Sequence, residues 1–264
     1  NYCADKNVSF RSDEFGNVYI RKGRLHERGE KFPLVCAHID TVHQIQPKRI
    51  VETNGILRAF GDSFSGAEQQ IGLGGDCLAG VFICLELLEA FPKIKVALFA
   101  DEEIGCRGSA RAKARFFRNV GYGIEFDSPG NNTMSYSNSG VKNFADNGAF
   151  INTALPALDR YGITEWQKHP YTDVLQLRKR FGFACLNLAA GYYRMHTPRE
   201  YVVMDDVQNS ILLGHELISS LGRKAYMEPY EFSQFGGSGN TKRPLSGCNF
   251  PDSPRIKALE LATV

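Results

Sequence analysis

The 264-residue chain lacks several features, and each absence narrows what it can be. It has no Cys-x-x-Cys pair, and its seven cysteines are an odd number. Cys36, Cys84, Cys106 and Cys185 lie in or beside apolar runs, while Cys3, Cys77 and Cys248 do not. This reads as reduced thiols in a reducing compartment, so a cytoplasmic location is expected rather than a disulfide scaffold. Neither charge is in surplus: 31 Lys+Arg stand against 29 Asp+Glu, a net of +2. The chain as a whole thus has no electrostatic reason to seek nucleic acid or a membrane surface. No apolar run is long enough to span a bilayer, because the best one, Leu78 to Phe91, is interrupted by Glu86 and Glu89. No internal repeat and no long low-complexity tract is present. There is no basic segment followed by an apolar one at the start, and the first residue is Asn1, not Met. Either the N-terminus is processed or the numbering starts inside a longer chain.

What is present is ordinary globular chemistry, 43% hydrophobic and 23% charged. At roughly 150 residues per domain, the length allows one large domain or one domain with an appendage. Short β-rich apolar runs alternate with helical patterns. Pro33 to Ala37, Ile94 to Ala100, Tyr122 to Phe126 and Phe183 to Ala189 read as buried strands, and Phe15 to Ile20 as a turn into another. Leu78, Val81, Leu85 and Leu88 make one apolar helical stripe. Val207, Ile211, Gly214, Ile218 and Leu221 make a second, with Asp205 or Asp206 placed to cap it and Gly222 to end it. Ser109 to Arg118 reads as a third helix, with Arg107, Arg111, Lys113, Arg115 and Arg118 as a solvated basic face. Strands alternating with helices predict an α/β fold, a three-layer α/β/α sandwich around a mixed, mostly parallel sheet. After about Tyr230 the chain turns linker-like, with Gly236 to Asn240 followed by Pro244, Pro251 and Pro254. We therefore expect a domain over 1–230 and a C-terminal arm or tail over 231–264.

Five acidic or histidine positions fall where strands end or helices begin, the place where α/β folds bind ligands. His38 and Asp40 follow the first buried strand and share a side of it, though His-x-Asp alone also fits a surface pair. Asp76 follows Gly72-Leu73-Gly74-Gly75 at the start of a helix, where it would serve as a cap or as a carboxylate bridging two metals. Asp101-Glu102-Glu103 closes a buried strand, where crowded acids are costly unless a cation joins them. One Glu there can ligate while the other accepts a proton. Asp127, before Ser128-Pro129-Gly130, would also suit a turn, and His196 an ordinary loop. His43 and His169 lie near these loops, whereas His26 and His215 read as structural or solvated. Two His and three carboxylates together suit two Zn²⁺ ions sharing one Asp, about 3.5–4 Å apart.

The ordered set His38-Ile39-Asp40-Thr41-Val42, Gly74 to Gly80, Asp101 to Gly105, Asp127 and His196-Thr197-Pro198-Arg199-Glu200-Tyr201 resembles the co-catalytic dizinc exopeptidase clan. That clan includes aminopeptidases, tripeptidases, carboxypeptidases and related amidohydrolases, and the resemblance spans roughly residues 14 to 222. It implies that Asp76 bridges two metals, that His38 and Asp127 complete one, and that Glu103 and His196 complete the other. It also implies that Glu102 is the general base and that Asp40 orients His38. Cys77 stands where many members carry an acid or Asn. The stretch from Asp127 to His196 is too short for an inserted domain, so the resemblance points to the lidless, aminopeptidase-like branch. The short lead before Gly16-Asn17-Val18 implies that helices usual in the clan precede Asn1. The expected activity is metal-dependent hydrolysis of a terminal peptide bond, with Co²⁺ or Mn²⁺ as alternatives to Zn²⁺. The alternatives are an amidohydrolase or carboxypeptidase/dipeptidase acting on N-acyl amino acids or small peptides and, more distantly, a binding module on the same fold. The partner expected is a peptide or small amide, not nucleic acid or membrane. Oligomeric state is not legible in the sequence.

Overall fold

The computed structural model describes residues 8–62, 66–169 and 171–228. The C-terminal arm expected over 231–264 lies outside them, as do Cys3 and Cys248. In chain order the elements begin with β1 (Ser9–Ser12), β2 (Val18–Lys22), β3 (Phe32–His38), β4 (Arg49–Thr53), β5 (Ile56–Asp62) and β6 (Glu68–Ile71). Then come α1 (Gly75–Ala90), β7 (Ile94–Phe99), α2 (Arg107–Ala110), α3 (Ala114–Phe117), β8 (Val120–Ser128), β9 (Thr133–Asn138) and β10 (Val141–Lys142). The chain continues through α4 (Ala149–Arg160), β11 (Glu165–His169), α5 (Asp173–Phe181), β12 (Cys185–Ala189), β13 (Tyr192–Tyr193), β14 (Tyr201–Val203) and α6 (Met204–Leu221).

The main sheet runs β1-β2-β7-β3-β8-β12-β9-β10, with β11 paired to β9. Its centre, β7-β3-β8-β12, is parallel, and β1-β2-β7 and β12-β9-β10 are antiparallel. The parallel strands are apolar on both faces, as a sheet covered on both sides requires. Alternate residues divide between two cores. Val35, Ala37, Val96, Leu98, Ile124 and Phe126 pack with α1, α4 and α6, while Leu34, Cys36, Ala97 and Phe99 pack with α3 and α5. This is the α/β/α sandwich expected from sequence. Between Asp127 and His196 the chain builds only β9 to β13 with α4 and α5, so no inserted domain is present among the described residues.

A second sheet was not foreseen. Strands β13-β14-β5-β4, with β6 on β5, form a five-stranded antiparallel sheet. Asn54 and Gly55, at φ 51° and 75°, make the turn between β4 and β5, the two positive φ values a tight hairpin needs.

Two local expectations are corrected. The single helix over Ser109 to Arg118 is two short ones, α2 and α3. Arg180 donates to the carbonyls of Ser109 and Ala112, both at 2.7 Å, and Tyr19 Oη accepts from Lys113 N at 3.1 Å. Distant side chains thus take the backbone groups a continuous helix would pair internally. Helix α6 is preceded by Val203, not capped by Asp205 or Asp206. Asp206 instead accepts from Tyr193 Oη at 2.6 Å and Asn131 Nδ2 at 2.9 Å. Gly222 does end α6, at φ 65°.

Candidate metal centre

Sheet register brings the first two residues together. Cys36 of β3 lies beside Glu125 of β8. Two residues further along each strand, on the same face, are His38 and Asp127. His38 Nε2 is 3.2 Å from Asp127 Oδ1 and 3.0 Å from Asp76 Oδ1. Asp76 arrives from the start of α1. Gly74 enters that helix at φ 83°, a conformation that favours glycine. Asp76 and Cys77 are not yet helical, and the peptide between them is cis. The helix sits close on β8, since a Cβ on Gly80 would lie 2.0 Å from the Phe126 carbonyl.

The other oxygen of Asp76 serves a second group. Its Oδ2 is 3.2 Å from His196 Nε2, which is 3.1 Å from Glu103 Oε2. Asp76 therefore stands between two histidines, one at each oxygen. Two donor sets follow, His38-Asp76-Asp127 and Asp76-Glu103-His196, with the ligand atoms of each within 4.8 Å of one another. Cys77 also falls in the first set, but its thiol donates to Phe126 O at 3.0 Å, and burial holds it protonated. Glu102, 7% exposed, belongs to neither set. Asp40 supports both halves. His38 Nδ1 lies 3.1 Å from Asp40 O and 3.4 Å from its Oδ1, so Nε2 is the nitrogen left to face the acids. The same carboxylate accepts from Glu102 N and Glu103 N, each at 3.1 Å. Backbone strain gathers here: Asp101, Cys106, Arg194 and His196 all have φ between 53° and 60°.

The electrostatics are those of acids crowded in a dry place. Burial, then the carboxylates of Asp127 and Asp173, push Glu102 up to about 8. Burial and then Asp76 push Glu103 up. Burial opposes a charge on His38, but Asp127 overrides it and raises its pKa. Such a cluster is stabilised by positive charge, and its nitrogen and oxygen donors suit divalent cations such as Zn²⁺. The residues present fit two ions sharing Asp76.

Beside the acids lies a cavity of 390 Å³ walled by Val42, Pro129, His169, Tyr171, Tyr192 and Met195. Among the described residues no Lys or Arg lines it, and Arg194 is not among its walls. His169 does line it, and its Nδ1 lies 2.8 Å from Tyr171 O. Asp173 is wholly buried and is not among its walls. His43 lies by Glu200, with 3.0 Å between Nε2 and Oε2. His26 is exposed, and His215 packs on Phe91 at 4.9 Å. The basic residues of α2, α3 and their flanks are exposed. Two features escaped the sequence reading. Glu200 is wholly buried under the Asp76 loop, and no local signal marks it, because its partners are the distant amides of Gly74 and Asp76. Glu125 and Asp173 form a buried acid pair near Glu102. Burial drives Asp173 up to about 7 and Glu125 well above the usual carboxylate range. An acid in the middle of an apolar strand was the available sign of Glu125.

Solved structures match this architecture. Aminopeptidase PepT from Bacillus cereus superposes with a TM-score of 0.64 at 14% identity, over 83% of this chain and 90% of the other. The likeness is one of fold. A tripeptidase from Staphylococcus aureus gives 0.65 at 12% identity, over 81% and 89%. The Pyrococcus horikoshii TET1 peptidase, which can assemble into a tetrahedron or a large octahedral shell, gives 0.54 at 15%, over 81% and 90%. No protein-family model matches the chain, and no curated protein matches its sequence.

Proposed function

We propose that this protein is a two-metal exopeptidase of aminopeptidase type, hydrolysing the terminal bond of peptides. The observation that carries the reading is the shared carboxylate: Asp76 offers one oxygen to each of two His-carboxylate groups, with Glu102 adjacent and free of both. In this reading His38 and Asp127 would hold one Zn²⁺, Glu103 and His196 the other, and Asp76 would serve both. When bound, the ions would supply Lewis acidity, activating a water and polarising the scissile carbonyl. The protein's own part is proton handling and placement. Glu102 takes a proton from the attacking water and delivers it to the leaving amine. Cys106 Sγ donates to Glu102 Oε1 at 3.4 Å and so helps fix the carboxylate's orientation. Asp40 holds His38 and the backbone of Glu102 and Glu103 in one frame.

We favour the aminopeptidase form over a carboxypeptidase because the carboxylate of Glu102, which belongs to neither donor set, lines the cavity beside them. We read residues 1–230 as the catalytic domain and 231–264 as an appended arm. The buried free thiols of Cys36, Cys77, Cys84, Cys106 and Cys185 agree with a reducing, cytoplasmic setting. Among the described residues no helix is long and apolar enough to cross a membrane.

The test is a substrate panel on zinc-loaded protein: amino-acid p-nitroanilides, dipeptides with a free carboxylate and a blocked amine, and N-acetyl amino acids. Cleavage of the p-nitroanilides, abolished by chelation, is expected. Cleavage confined to the N-acetyl amino acids would move the assignment to an amidohydrolase, and inertness toward all three would remove it.

A further inference from the structure

The loop that carries Asp76 is held from two sides by charged side chains of the smaller sheet. Glu200, fully buried just before β14, accepts from Gly74 N at 2.5 Å through Oε2 and from Asp76 N at 3.0 Å through Oε1. His43 Nε2 is a third neighbour, 3.0 Å from Oε2. On the other side Lys48, just before β4, donates to Gly72 O and Leu73 O, both at 3.0 Å. The cation takes the carbonyls, and the anion takes the amides, of one short loop.

These amides have no local partner. They open a helix whose entry has no side-chain cap of its own, and first-turn N–H groups are otherwise orphaned. A buried carboxylate is costly unless several donors meet it. Glu200 meets that condition at the residue that must present both of its oxygens. Space is tight as well: a Cβ on Gly75 would lie 2.6 Å from Val202 Cγ2, so β14 itself abuts the loop.

We propose that Glu200, aided by Lys48, is a positioning residue that aims the Asp76 carboxylate between His38 and His196. The proposal rests on reading Asp76 as the shared metal ligand. The smaller sheet then has a purpose beyond packing: it braces the bridging carboxylate against the main sheet.

The test uses E200Q, which keeps the side chain's size but turns one acceptor into a donor facing a backbone N–H. Zinc affinity is measured by competition with a chromogenic chelator, and the melting temperature of the metal-stripped protein is measured in parallel. Affinity should fall about 10–100-fold, with the metal-stripped melting temperature little changed. K48M should shift affinity the same way by less. Native affinity in E200Q overturns the proposal. A loss of affinity matched by an equal loss of metal-free stability also overturns it, because Glu200 is then only a helix cap. If E200Q does not fold, K48M decides, and native affinity there is equally fatal. D76N separates the two readings: retention of both zinc ions in D76N defeats the metal-site assignment itself, whereas loss of metal in D76N beside native affinity in E200Q defeats only the role of Glu200.

Discussion

At the scale of single residues, chemistry here depends on neighbours that are dry and close. Glu102 and Glu103 are adjacent in sequence, yet one joins a donor set and the other stays apart. That division supports different work for each, and it can be tested directly. Glu102→Gln should retain both metals by elemental analysis and lose about 10²–10⁴-fold in kcat; a metal-replete variant with the native rate would dismiss Glu102 as the base. The candidate ligands were legible because each follows a buried strand or opens a helix, where a charged residue needs a reason. Glu200 was not, because the amides it receives lie 124 and 126 residues away in sequence. Nothing local to Arg199-Glu200-Tyr201 reveals them.

At the scale of elements, close approach counts for more than intrinsic preference. Gly80 lies inside α1, where alanine would be favoured by about 0.5–1 kcal/mol on propensity. A methyl there meets the Phe126 carbonyl at 2.0 Å and Cys77 Sγ at 2.6 Å, and overpacking of this kind costs about 1–3 kcal/mol. Contact therefore outweighs propensity. Gly80→Ala should lower stability by about 1–2 kcal/mol in urea unfolding, and an unchanged or raised stability would show that α1 does not rest on β8 this way. The helix over Ser109 to Arg118 shows the limit of periodicity. Its residues suit a helix, but Arg180, far along the chain, claims two of its carbonyls. The hairpin of β4 and β5 had a readable sign in Asn54-Gly55, flanked by Arg49 to Thr53 and Ile56 to Asp62.

For the molecule as a whole, metal and stability should be linked. The acids are crowded in the protein alone, so a cation that binds only the folded form adds to its stability. At free zinc about 100-fold above its dissociation constant, the gain is about 2.7 kcal/mol. For a chain of this size that raises Tm by roughly 5–10 °C. Scanning calorimetry with zinc and with chelator measures it, and identical melting temperatures would mean that the cluster does not bind zinc under those conditions.

The amino-acid sequence by itself determined the alternation of strand and helix and the covered parallel centre of the sheet, which follow from local rules of side-chain period and apolar runs. It also marked His38, Asp76, Glu103, Asp127 and His196 as candidates by their place at strand ends and a helix start, while their division into a ligand set came from the family resemblance of the motifs. Only the tertiary structure decided how these parts meet. Register set Cys36 beside Glu125 and so brought His38 to Asp127. The smaller sheet carried Glu200 and Lys48 to the Asp76 loop, and Arg180 divided a helix. Each of these is a pairing of groups far apart along the chain, and its energy exists only once both ends are folded into the same place.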